Sequence, residues 1–90
     1  MGDTEIPSKL RWQCRRGMLE LDVLLGNFLE GAYVNLSVKE QELFVKLLAC
    51  HDQDLFMWLT GKETPSDPEI LLMVGKVREH ARNKGSFKSV

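Results

Sequence analysis

The 90-residue chain is poor in the features that announce chemistry or a membrane. It has only two cysteines, Cys14 and Cys50, too few for a disulfide framework. With no export signal they are expected to be reduced thiols. A zinc site needs about four N/S ligands, and the supply ends at Cys14, Cys50, His51 and His80, with no C-x-x-C or H-x-x-x-H spacing. Unbroken apolar runs are only a few residues long, which excludes a transmembrane helix. The start, Met1-Gly2-Asp3-Thr4-Glu5, carries acids and no apolar run, so no secretory signal is expected. Twelve Lys and Arg against 13 Asp and Glu leave a formal charge of −1. That removes the overall basic excess expected of a nucleic-acid binder. No phosphate-cradling G-x-G-x-x-G or G-x-x-x-x-G-K occurs, and no segment alternates with the period of two that a half-buried strand requires.

What is present suits one small soluble domain. Hydrophobic residues are 43% and charged residues 28% of the chain, the balance of a globular protein, and 90 residues are enough for one core and too few for two, or for a self-sufficient enzyme with a deep cleft. Charge is distributed in blocks. Lys9, Arg11, Arg15 and Arg16 make the start basic, ten acids against three lysines lie between Glu20 and Glu69, and Lys76, Arg78, Arg82, Lys84 and Lys88 make the end basic again. Blocks of this kind are solvated helix faces that also orient a partner.

Every strong periodicity is helical. Pro7 and Ser8 open a first helix over 8–16, with Leu10 and Cys14 one turn apart and Gly17 at its end. Leu21, Leu24, Leu25, Phe28 and Ala32 stripe a second over 18–33. Ser37 and Glu40 form a capping box for a third over 37–50, with Leu43, Phe44, Leu47 and Leu48 on its core face. Asp52 is expected to cap a fourth over 52–60, carrying Leu55, Trp58 and Leu59 and ending at Gly61. Asp67 and Pro68 start a fifth over 67–84, striped by Ile70, Met73, Val74, Val77 and Ala81. The predicted fold is an all-α, five-helix bundle forming one domain over 7–84, with mobile tails at 1–6 and 85–90. Leu21, Leu24, Phe28, Leu43, Phe44, Leu47, Leu55, Trp58, Val74 and Val77 are the expected core.

Catalytic readings are weak. Adjacent helical residues diverge by about 100°, so Cys50 and His51 do not form a side-by-side pair. Asp52 and Asp54 are explained by a helix start. The segment Cys14-Arg15-Arg16-Gly17-Met18-Leu19-Glu20-Leu21-Asp22 is different. Cations ending one helix and acids opening the next are good helix electrostatics. Trp12 and Met18 beside that charged turn also have the composition of a protein-binding hot spot.

The residues Arg16-Gly17-x-x-Glu20, together with Asp52, Asp54, Leu55 and Trp58, resemble the two blocks of the succinate dehydrogenase assembly factors that promote covalent flavinylation, the SdhE-type family. The resemblance spans about residues 8–84. It implies a cytoplasmic, monomeric helical protein that is not itself an enzyme and has no cofactor of its own, the FAD belonging to the client. The implied partner is the flavoprotein subunit of succinate dehydrogenase, and also that of fumarate reductase, with no nucleic acid and no membrane insertion. Arg16, Gly17 and Glu20 are then the expected partner-binding residues, projecting from one convex corner flanked by Lys9, Arg11, Trp12, Arg15, Met18 and Asp22. Leu55 and Trp58 are assigned to the core. Two alternatives stay open: an antitoxin-type regulatory protein binding a toxin partner, and an FAD carrier, which needs a dinucleotide pocket that no motif indicates.

Overall fold

A computed structural model describes residues 6–84. Its elements are α1 (Ser8–Gln13), α2 (Leu19–Ala32), a 3-10 turn (Tyr33–Asn35), α3 (Val38–Leu48), α4 (Asp52–Leu59) and α5 (Pro68–Lys84). Among the described residues there is no strand. The predicted all-α five-helix architecture is the observed one.

The apolar stripes explain the packing. α5 lies against α2, α3 and α4, while α2 also receives α4 and the short α1. Leu21, Leu24, Leu25, Phe28 and Leu29 of α2 meet Phe44 and Leu47 of α3, Leu55 and Leu59 of α4, and Met73, Val74 and Val77 of α5 in one core. Phe44 is fully buried. Its ring lies 5.3 Å from Phe28 and 6.0 Å from Tyr33, both tilted, a favourable aromatic geometry.

Local chemistry sets most of the helix ends. At α3 the capping box is complete: Glu40 N–H donates to Ser37 Oγ and Ser37 N–H to Glu40 Oε1, each at 3.1 Å. At the end of α4, Gly61 adopts φ +81°. Gly61 N–H then reaches Trp58 O at 3.1 Å and Lys62 N–H reaches Met57 O at 2.8 Å, a Schellman closure that uses otherwise orphaned carbonyls. Asp67 Oδ1 accepts from Glu69 N–H at 2.8 Å to open α5.

Four expectations are corrected. The first helix stops at Gln13 rather than Arg16, because the backbone of Arg16 is engaged elsewhere, as described below. Asp52 is the first residue of α4 and not its cap; His51 holds the cap position without a side-chain bond, the Asp52 carboxylate being drawn to Arg16. Trp58 is only partly buried, packing its ring on the edge of the core. Ile6, assigned by sequence to the tail, packs against the core. The remaining tail expectation falls on residues 1–5 and 85–90, outside the described residues.

Candidate functional site

The loop between α1 and α2 carries the charged corner. After Cys14, whose thiol is buried and directed at Leu25 O at 3.8 Å, the chain leaves helical geometry. Gly17 turns it with φ +82°, a left-handed conformation costly for any residue with a Cβ. A Cβ built at Gly17 meets nothing within 4 Å. The turn therefore presents bare backbone to solvent. Glu20 and Asp22 then fall in the first turn of α2, where the positive end of the helix dipole favours carboxylates.

Within this corner the predicted residues divide. Gly17, Glu20, Lys9, Arg11, Trp12 and Arg15 are exposed, Trp12 by 75%. Met18 and Asp22 are half-buried. Arg16 is the exception to the convex-corner expectation: its side chain is only 15% exposed. Its guanidinium turns inward to the α3–α4 junction. Nη1 donates to Asp52 Oδ1 at 2.8 Å and to Cys50 O at 3.4 Å, and Nη2 donates to Leu48 O. The physical reason is the negative pole at the α3 C-terminus, where helical carbonyls lack intrahelical partners and a cation satisfies them. The main chain of Arg16 is held as well, its N–H donating to Asp22 Oδ1 at 2.6 Å.

The Arg16–Asp52 bond thus joins the two motif blocks across 36 residues of sequence. Shallow depressions lie on both sides of the loop. One, of about 320 Å³, is lined by Arg11, Trp12, Arg15, Asp22, Gly26 and Glu30, with Arg11 and Glu30 joined as an ion pair. The other, of about 910 Å³, runs between Arg16 and Met18 on one wall and His51, Gln53, Phe56 and Met57 on the other. Lys9 and Glu20 line neither. Sequence reasoning missed the α4 wall. Its signal was present in the second block, whose acids were read as a helix start and whose Leu55 and Trp58 were read as core, although Phe56 and Met57 fall outside the Leu55–Leu59 stripe. It also missed Leu19, 78% exposed beside Met18 and off the apolar stripe of α2.

The thiols are poor nucleophiles. Burial pushes Cys14 up to about 11, with the nearby Arg16 charge opposing. Burial and the Asp54 carboxylate likewise raise Cys50. Among the described residues no three His, Cys, Asp or Glu side chains converge on a metal-sized site. No helix there is long and apolar enough to cross a membrane.

Residues 8–81 match the family described as flavinator of succinate dehydrogenase. This chain belongs to that family. The FAD assembly factor SdhE of Shewanella oneidensis is 49% identical over 74 residues, covering 82% of this chain and 90% of that protein. The SdhE proteins of Pseudomonas putida, 43% identical over 77 residues, and Photorhabdus laumondii, 37% identical over 83 residues, cover 86% and 92% of this chain and 92% and 94% of their own lengths. The flavinator-family match takes in the whole α1–α2 corner and the α4 wall it is bonded to, and reaches almost the end of α5.

Proposed function

We propose that this protein is an FAD assembly factor that binds the flavoprotein subunit of succinate dehydrogenase, and that of fumarate reductase, and promotes covalent attachment of FAD to the client. The observation that carries this reading is the corner itself. In a chain of the flavinator family, the Arg16-Gly17-x-x-Glu20 block forms a turn whose Gly17 backbone is open to close approach and whose Glu20 is exposed, next to the exposed side chains of Trp12 and Leu19. Exposed aromatic and charged groups around unobstructed backbone are the makings of a protein contact.

The role asks no bond-making of this chain. The reacting groups, a side chain and the flavin, belong to the client. A rigid helical corner accelerates their union by binding best to the client conformation in which they meet, raising its population. Gly17, Glu20, Trp12, Arg15, Lys9, Arg11 and Met18 are the proposed contact residues. Asp22 and Arg16 hold the loop that displays them. The protein is proposed to act as a cytoplasmic monomer, with FAD held by the client.

The test is reconstitution. Purified apo-flavoprotein is incubated with FAD with and without this chain, and covalent flavin is read by fluorescence of the denatured client. Faster covalent incorporation is expected in the presence of the chain and not with Glu20→Ala. An equal rate with and without the unaltered chain overturns the reading, and co-purification with a small toxin-like protein in place of a flavoprotein favours the antitoxin alternative.

A further inference from the structure

Resting on the partner-contact reading above, the geometry points to a division of labour inside the motif: Arg16 is a positioning residue that clamps the α1–α2 loop to the start of α4, and it does not itself meet the partner. Three observations lead there. The side chain is 15% exposed although Arg15 and Gly17 on either side are exposed. Three of its five N–H groups are bonded inside the protein, both of Nη1 on Asp52 and Cys50 O and one of Nη2 on Leu48 O, while Nε is enclosed with no partner. A guanidinium recognises an incoming carboxylate by offering two parallel N–H groups, and here both Nη1 donors are taken and the Nε side of the fork is enclosed, so no such pair is presented at the surface. Its main chain is tied in turn to Asp22.

The consequence is geometric. Arg16 is the bonded link between the wall bearing Met18 and the wall bearing His51, Gln53, Phe56 and Met57. Among the described bonds, no side chain of the three residues between α3 and α4 bridges to the α1–α2 loop. Releasing the guanidinium leaves the Leu48 and Cys50 carbonyls without that donor and removes the direct tie between the junction and the loop, which then share only the core beneath them. The surface offered to the partner is composite, and its two halves keep register through Arg16 and Asp52.

Amide exchange on the full free chain, and affinity for the apo-flavoprotein subunit of succinate dehydrogenase at a temperature where every variant is folded, test this together. Arg16→Gln and Asp52→Ala are each expected to raise exchange at residues 48–54 and 18–22 on the order of tenfold and to weaken affinity on the order of tenfold. The double variant is expected to be no weaker than the worse single one, because Asp52 acts on the loop only through Arg16. Arg16→Lys, which reaches Asp52 but lacks the fork, is expected to recover part of the affinity. Glu20→Ala is expected to weaken affinity with exchange in both segments unchanged.

Unchanged exchange in Arg16→Gln overturns the clamp. Raised exchange with unaltered affinity makes Arg16 structural only and overturns its positioning role. Affinity losses that add in the double variant make Arg16 an independent contact and overturn it as well. Failure of the unaltered chain to bind the flavoprotein overturns the proposed function, while the exchange measurements still decide the clamp.

Discussion

Gly17 offers the cleanest separation of folding from function. It sits at φ +82° with open space where a Cβ would be. A side chain there meets no neighbour, so the cost of Gly17→Ala is conformational: about 1–2 kcal/mol for the left-handed region, offset in part by the smaller entropy of the unfolded chain. A net loss of about 1 kcal/mol lowers the melting temperature of a domain this size by about 4–8 °C. Asparagine tolerates the same conformation better, so Gly17→Asn is expected to melt between the wild type and Gly17→Ala. Partner binding follows a different rule. If bare backbone at the turn is what the flavoprotein approaches, any side chain obstructs it, and Asn is no better than Ala. Circular-dichroism melts and covalent flavin on the client, measured on the three proteins, are expected to rank differently: stability graded, flavinylation lost in both variants. Flavinylation that follows the melting temperature, with Asn restoring it, would refute the close-approach reasoning and leave Gly17 with a purely conformational role.

Phe44→Ala removes a fully buried ring packed on Phe28 and Tyr33, and is expected to cost about 3–5 kcal/mol in denaturant unfolding; Trp58→Ala, at a half-buried site, is expected to cost clearly less, and equal losses would contradict the packing. Lys46 bonds Asp67 at 3.1 Å and Glu69 at 2.8 Å, and holds both carboxyls below their usual range, while the Ser37 backbone N–H and then Lys76 do the same for Glu40. Lowered folded values mean that this stabilisation is present above about pH 4–4.5 and is lost as pH falls through them. The melting temperature of Lys46→Met is therefore expected to fall less steeply on acidification than that of the wild type; superimposable curves would remove the network from the account. A thiol reagent at mildly alkaline pH is expected to label half-buried Cys50 first and to reach Cys14 only on unfolding, since burial both shields Cys14 and raises it to about 11. Mass spectrometry of the singly labelled protein checks the order.

How much of this protein could be read in advance depends on the range of the interaction. The helices of Leu21–Phe28, Leu43–Leu48 and Ile70–Ala81 are legible because a 3.6-residue apolar period is a local property. So are the Ser37–Glu40 box, the left-handed Gly17 and Gly61, and the Asp67–Pro68 start, where the partners lie within a few residues of one another. The motif residues were equally visible as a string. What they do was not. Arg16 reads as an exposed cation at a helix end, and only the arrival of the α3 C-terminus, more than thirty residues away, turns it inward. That same contact takes Asp52 away from capping and joins the two blocks into one corner, while the bond from Arg16 N–H to Asp22 is what ends α1 early. Helix periodicity determines which face of each element is buried; which helix end meets which loop is decided by packing the faces together, and a charge finds its long-range partner only then.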